Sequence, residues 1–290
     1  MGVKEGGRAM TIPPIFERLI DDAAVFPPGD LPLADAVPAH VAHRAAWYAG
    51  LVGPLLCAAS SLDSLASSAR GLPAPLEVAV VVDTGTGGVL DAVDAVDAEP
   101  HVRLRGIEVP LRGSPLGDAA RRTVAALDAA LGGPDDDEPT YVEVPREHGW
   151  EVALDVVAEA GYRAKLRTGG AAADAVPSNE EVAAFVVACL DRGVAMKFTA
   201  GLHHAVRGPV EHGFLNVLLA VGTAAGGGSV ADVAAALSID DGARLAAAVG
   251  ALDAAAVRRW FASYGSCSIA EPLSELIALG LVAEPGRVAR

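Results

Sequence analysis

Residues 162–199 read YRAKLRTGGAAADAVPSNEEVAAFVVACLDRGVAMKFT, and the periodicity changes twice along them. Tyr162 to Thr168 alternates polar and apolar side chains at the period of two that a half-buried strand requires, and Gly169 and Gly170 stop it. Ser178 followed by Glu181 forms an S-x-x-E capping box, so a helix is predicted to start there. Val182, Phe185, Val186 and Leu190 then recur at helical spacing, and Gly193 stands where a glycine closes a helix. Val194 to Thr199 resumes strand alternation. The whole reads as a strand, helix, strand unit, whose two strands are parallel.

The same punctuation repeats upstream. Strands are predicted at Leu51 to Ala58, Leu76 to Asp83, Val102 to Pro110 and Thr140 to Pro145, with helices around Leu62 to Ala69, Val89 to Ala95, Asp118 to Leu131 and Glu151 to Ala160. A short first strand is expected at Ala23 to Phe26, and an eighth at Gly265 to Ile269 leading into a helix from Glu271 to Leu279. Eight alternating units fit a closed (β/α)8 TIM barrel better than an open sheet. Between Thr199 and Gly265 the chain looks helical, at Phe214 to Val221, Val230 to Leu237 and Ala243 to Phe261. The expectation is one α/β domain over residues 1–290, with a helical insertion at residues 208–262 after strand seven.

Composition narrows the function classes. The chain has 290 residues, 52% of them hydrophobic but only 4% aromatic, so its core is built from Ala, Val and Leu. A formal net charge of −15 argues against nucleic acid or an anionic membrane as a partner, because both demand a basic surface. Cys57, Cys189 and Cys267 show no CxxC spacing and are read as unpaired thiols in a reducing, bacterial-type cytoplasm. The leading MGVKEGGRAMTIPP lacks the apolar run of an export signal, with Met10 an alternative start. Phe214 to Gly228, the longest apolar run, is shorter than the ~20 residues of a membrane span. The partner expected is therefore a small-molecule substrate, with a homo-oligomer left open.

Strand parity then says which polar residues converge. Ala79, Val81 and Asp83 share a face; so do Gly106, Glu108 and Pro110, then Tyr141 and Glu143, then Arg163, Lys165 and Arg167, then Ala195, Lys197 and Thr199. The opposite faces hold Val80, Val82, Ile107, Val109, Val142, Val144, Leu166, Met196 and Phe198, a set suited to packing under helices. Asp83, Glu108, Glu143, Lys165 and Lys197 are thus predicted to point into the lumen near the C-terminal ends of five successive strands, where barrel enzymes hold their active sites. Charges so placed must neutralise one another, bind an ion or face a solvated pocket. A structural salt-bridge layer is the plain reading, and a functional site the sharper one.

Lys165-Leu-Arg-Thr-Gly-Gly on strand six and Lys197-Phe-Thr-Ala-Gly on strand seven resemble the paired lysines of class I aldolases of the deoxyribose-phosphate aldolase type, over about forty residues. The resemblance implies that Lys165 forms a Schiff base, that Lys197 is the nearby cation lowering its pKa, and that Asp83 helps to move protons. It also implies that Thr168, Gly169, Thr199 and Gly201 border a phosphate-binding turn. Arg167 stands where that family requires no arginine, and the His203-His204 pair has no counterpart in it. With Arg207, these residues would bind the anionic part of a substrate.

The same acids also resemble the ligand positions of the enolase superfamily, with Asp83, Glu108 and Glu143 holding a divalent metal such as Mg²⁺ and a lysine as base. Against it, only about fifty residues precede strand two, too few for that family's capping domain. The seven histidines, including the pair His40 and His43 and the group His203, His204 and His212, show no HExxH or Cys/His metal spacing. Asp83-Thr-Gly-Thr-Gly-Gly misses the dinucleotide fingerprint and reads as a tight turn. Asp21 and Asp22 either line the mouth or cap a solvated helix. The expectation is a lyase or isomerase acting on a small carbonyl or carboxylate compound, without cofactor in the aldolase-like reading; a non-catalytic binding protein is the third class.

Overall fold

The structure is a computed structural model and describes residues 12–170 and 175–285; the leading segment up to Met10 lies outside them. Eight parallel strands close into a barrel in sequence order: β1 (Ile20–Asp22), β2 (Val52–Ala58), β3 (Leu76–Val81), β4 (Val102–Pro110), β5 (Thr140–Glu143), β6 (Arg163–Arg167), β7 (Met196–Thr199) and β8 (Phe261–Ser266). Between them run α1 (Leu33–Ala45), α2 (Leu62–Ala69), α3 (Val89–Asp97), α4 (Leu116–Leu131), α5 (Trp150–Glu159) and α6 (Asn179–Asp191). Four helices, α7 (Phe214–Ala225), α8 (Val230–Leu237), α9 (Gly242–Gly250) and α10 (Ala254–Arg258), fill the span between β7 and β8, and α11 (Ala270–Ala278) follows β8. This is a (β/α)8 barrel with extra helices after strand seven. Among the described residues no helix is long and apolar enough to cross a membrane.

The β6, α6, β7 unit forms as its residues require. Ser178 Oγ accepts from the Glu181 amide at 3.1 Å, and Glu181 Oε2 accepts from the Ser178 amide at 2.7 Å, so both orphan donors at the start of α6 are met. Gly193 takes φ +70, which glycine adopts without a Cβ clash, and the Val194 amide returns to the Cys189 carbonyl at 2.9 Å. β6 and β7 then pair in register, Lys165 beside Lys197 and Arg167 beside Thr199.

The two faces of the strands separate as their parity dictates. Val80, Val82, Ile107, Val109, Val142, Val144, Leu166, Met196 and Phe198 all lie in the large core between sheet and helices. Ala23, Leu56 and Ala79 form a small separate apolar cluster with Phe26 against it, on the lumen side of β1 to β3. Tyr264 anchors the closing strand: its ring stacks on Phe214 of α7 with centroids 5.1 Å apart, and both are fully buried.

Both ends of the barrel differ from the sequence reading. The first strand is Ile20–Asp22, not Ala23 to Phe26, which is a turn. Two consecutive aspartates hide the alternation, because one points inward and the other outward. The eighth strand begins at Phe261 rather than Gly265, and the helix expected over Ala243 to Phe261 is two helices. Asp253 breaks it, its side chain accepting from the amides of Ala255 and Ala256 as an N-cap.

The Tyr264 hydroxyl is buried without a hydrogen-bond partner among the described residues. Tyr264→Phe is therefore expected to keep or raise the urea unfolding midpoint, since an unsatisfied buried group costs about 1–3 kcal/mol. Tyr264→Ala is expected to lose about 3–5 kcal/mol through the cavity it opens. A marked loss of stability in Tyr264→Phe would show instead that the hydroxyl is bonded in solution.

Candidate functional site

The lumen holds a chain of alternating charges. Lys197 Nζ on β7 pairs with Asp21 on β1 and with Glu108 on β4. Glu108 turns its other oxygen to Lys165 Nζ on β6 at 2.5 Å, and Lys165 also pairs with Glu143 Oε2 on β5 at 2.9 Å. Ser263 Oγ on β8 donates to Asp21 at 2.7 Å. Barrel closure makes this assembly: Glu108 crosses the lumen to strands that it does not pair with, and Asp21 meets a lysine 176 residues away.

Burial grades along the chain of charges. The side chains of Glu108 and Lys197 are each 1% exposed, Lys165 3% and Glu143 14%. Glu143 is the last residue of β5, so the chain of charges reaches solvent on the C-terminal side of the barrel. Below it, Lys197 Nζ lies 5.4 Å from the ring centre of the buried Tyr141, a cation–π contact that closes off the inner end.

Electrostatics fixes the ionisation of the inner members. Burial alone would keep Glu108 neutral, but the ammonium groups of Lys165 and Lys197 outweigh it and hold its carboxyl at about 2. Burial likewise opposes a charge on Lys197, and Asp21 and Glu108 reverse this, lifting the ammonium well above its ordinary range.

Four of the five residues expected to converge do so: Glu108, Glu143, Lys165 and Lys197. Asp83 does not join them. β3 ends at Val81, two residues short, and Asp83 instead accepts from the Ser60 amide at 3.0 Å and hydroxyl at 2.5 Å, bracing the β2 to α2 turn. Asp21, left open between mouth and helix cap, is a full member of the chain of charges. Its neighbour Asp22 points outward and meets His40 Nδ1 of α1 at 2.9 Å, with both groups buried. Lys197 is not a bare cation beside Lys165 either, because the Glu108 carboxylate bridges their ammonium groups.

The glycines of the two lysine motifs have a structural reason. A Cβ on Gly169 would stand 2.7 Å from the Cα of Gly201, so the loops after β6 and β7 cross backbone to backbone. Thr168 Oγ1 donates to the Ala200 carbonyl at 2.6 Å, and Ala200, a non-glycine residue, sits at φ +62. That is a conformation held by its surroundings at the rim. The inward Thr199 Oγ1 faces Gly265 of β8, 3.2 Å from where a Cβ would be.

The rim histidines have separate partners. His203 Nδ1 lies 3.4 Å from Cys267 Sγ, and His204 Nδ1 lies 2.7 Å from Glu275 Oε1 of α11. Arg207 donates its amide to Asn216 at 2.9 Å, while its buried Nε has no partner among the described residues. Arg167 at the end of β6 is exposed and makes no hydrogen bond or ion pair among the described residues. All three cysteines are free. Among the described residues no three His, Cys, Asp or Glu side chains are grouped to hold a metal ion; Asp83 is turned to Ser60, and Glu108 and Glu143 face lysines.

A cavity of about 290 Å³ opens beside the end of β2, lined by Phe26, Leu31, Cys57, Ser61 and Ser64 among others. Another, about 130 Å³, lies on the helix side between Trp150 and Phe185. Neither is lined by the chain of charges, and the chemistry follows the charges rather than the voids. No protein-family model matches the chain, and searches of curated proteins and of solved structures return no significant match, so the site is read from its own geometry.

Glu108 has a lowered pKa, so its contribution to stability is present above its ordinary value near 4.5 and is lost as pH falls towards about 2. Lys197 has a raised pKa, so its contribution is present below about 10.5 and is lost as pH climbs through the raised value. Urea midpoints are expected to be flat between these limits and to fall on both sides. Glu108→Gln is expected to cost about 3–5 kcal/mol at neutral pH, because two buried ammonium groups lose their shared partner. An acid limb unchanged by that substitution would remove Glu108 as its cause.

Proposed function

We propose that this chain is a barrel enzyme acting on a small carbonyl or carboxylate compound through the amine of Lys165, as a lyase of the imine-forming, aldolase-like kind. The observation that carries the reading is the placement of Lys165 Nζ between a sealed carboxylate, Glu108, and a partly open one, Glu143. Barrel active sites lie on the side to which Glu143 opens. A layer built only for stability gains nothing from leaving its last carboxylate open to water, and buried ion pairs are weak stabilisers compared with apolar packing.

The steps balance with the groups present. Lys165 passes a proton to Glu143 and attacks the substrate carbonyl carbon as a free amine, and the carbonyl π electrons move to oxygen. The alkoxide takes the proton held by Glu143. Glu143 then draws a second proton from the nitrogen of the adduct and delivers it to the hydroxyl, which leaves as water while the freed nitrogen lone pair forms the iminium. Glu143 ends as a carboxylate beside a cation. The iminium nitrogen then accepts the electron pair of an adjacent carbon–carbon or carbon–hydrogen bond as that bond breaks, with Glu143 taking the proton released from the β-hydroxyl or from the carbon. The enamine carbon takes a proton back from Glu143, and water hydrolyses the iminium to regenerate Lys165. Throughout, Glu108 stays ionised and anchors the lysine stem end, and Lys197 holds Glu108 in place. These steps call on no metal or organic cofactor.

The walls fit a small amphipathic substrate. The lumen from β1 to β3 presents Ala23, Leu56 and Ala79, and the opposite side presents the charges. Arg167, exposed and unpaired among the described residues, stands two positions beyond Lys165 on the same face and would take an anionic group by a two-pronged contact. No specific observation favours the metal-dependent alternative, because its three carboxylates are not brought together.

Borohydride added with a panel of small aldehydes and oxo acids is expected to fix one of them covalently on Lys165, located by peptide mass spectrometry. Lys165→Met, with folding verified by circular dichroism, should abolish the adduct, and Glu143→Gln should slow its formation about 10²–10⁴-fold. Adducts spread over surface lysines, with Lys165 unmodified under every carbonyl compound, would reduce the chain of charges to a structural layer.

A further inference from the structure

The opposite, N-terminal end of the barrel gathers three arginines on one acid. Glu77 Oε2 accepts from Arg18 at 3.1 Å and lies 3.5 Å from Arg44, and Glu77 Oε1 accepts from Arg105 at 2.8 Å. The four come from separate elements: the approach to β1, the last turn of α1, β3 and β4. Three guanidiniums against one carboxylate leave an excess of two positive charges in a chain whose net charge is −15.

The backbone departs from regularity twice to build this cluster. Arg18, a non-glycine residue, sits at φ +47, held by its amide to the Gly50 carbonyl at 2.7 Å. On β4 the register with β3 shifts between Leu104 and Gly106, leaving Arg105 as the extra residue of a bulge that re-aims its side chain. Arg105 holds Glu77 Oε1 through Nε and Nη2, and Arg18 holds Oε2 through Nη1 and Nη2, so each oxygen has its own guanidinium. One guanidinium would neutralise Glu77; Arg44, whose Nη1 donates to the Ala49 and Val52 carbonyls, adds a third charge 3.5 Å from Oε2. The cluster stays open to water, with Arg18 41% and Arg44 32% exposed. The Nε groups of Arg18 and Arg44 and Nη1 of Arg105 carry donors with no protein partner among the described residues, out of the five N–H donors a guanidinium has.

We propose that Arg18, Arg44 and Arg105 form a binding site for a small multivalent phosphate-type oxyanion at the N-terminal end of the barrel, separate from the lumen site. Glu77 is its internal counter-anion, pre-assembling the arginines and competing with the ligand. The site lies where barrel proteins carry stability rather than catalysis, so the anion acts on the stability of the fold. This inference does not depend on the chemistry of Lys165.

The test is calorimetric titration with inorganic pyrophosphate, alongside thermal unfolding in pyrophosphate and in sodium chloride of matched ionic strength. Saturable binding and a rise in Tm beyond that in chloride are expected for the wild type. Arg18→Gln and Arg105→Gln should each weaken binding at least about tenfold, as loss of a charge-assisted contact implies. Glu77→Gln should tighten it, because the competing charge is gone, whereas a purely structural cluster would lose stability there and gain no affinity. Arg121→Gln, on the exposed face of α4, should leave binding unchanged. No saturable heat with the wild type, or binding that survives both Arg18→Gln and Arg105→Gln, would overturn the site. If Glu77→Gln does not fold, the wild-type titration and the three arginine variants still decide.

Discussion

The Glu108 carboxylate, sealed in the lumen and shared between Lys165 and Lys197, is the interaction on which the interior of this barrel depends. Two ammonium groups on adjacent strands repel each other in a low-dielectric space, and water cannot reach them there. Only a carboxylate entering from across the lumen can satisfy both, and Glu108 does so from β4. Asp21 and Glu143 then complete the second contact of each lysine. The excess charge of the assembly is negative by one, and it resides at the member nearest water, where it is least costly.

This constraint orders the rest of the architecture. The half of the lumen lined by β1 to β3 needs no charge and carries small apolar side chains, while the half from β4 to β7 is polar. Asp21 joins the two halves because β1 and β7 both pair with β8, and Ser263 on that strand supplies a hydrogen bond between them. The rim is then shaped by close approach: Gly169 against Gly201, with Thr168 clamping the Ala200 carbonyl. The fold thereby keeps the floor of the lumen locked and the lip around Glu143 open.

Much of this was legible in residue order. Strand parity placed Glu108, Glu143, Lys165 and Lys197 inward, and the apolar residues alternating with them outward, because a period of two survives wherever strands are regular. It failed where regularity ends. Asp83 lies beyond the end of β3, where the chain has begun to turn, so parity no longer governs its direction. Asp21 and Asp22 form most of a three-residue strand, and two adjacent acids show no alternation by which to tell that one faces Lys197 and the other His40. The start of β8 was missed because Val257 to Phe261 continues a helical pattern, and only Asp253 as a cap reveals the break. Pairing was beyond the sequence altogether: parity says which residues enter the lumen but not that Glu108 crosses it.

The two carboxylates flanking Lys165 also explain why a lysine so well paired can be read as reactive. A carboxylate that bridges two ammonium groups cannot take the proton of one without leaving a buried neutral acid beside the other. Glu108 is in that position: its ionised form is demanded by two cations at once. Glu143 is not, because it touches one ammonium and is partly hydrated, so a proton moved to it leaves no second charge unmet. In the proposed mechanism, therefore, the proton of Lys165 goes outward to Glu143, on the open side from which a carbonyl compound would arrive, and the group that takes the proton from the amine is also the one placed to deliver it to the departing oxygen.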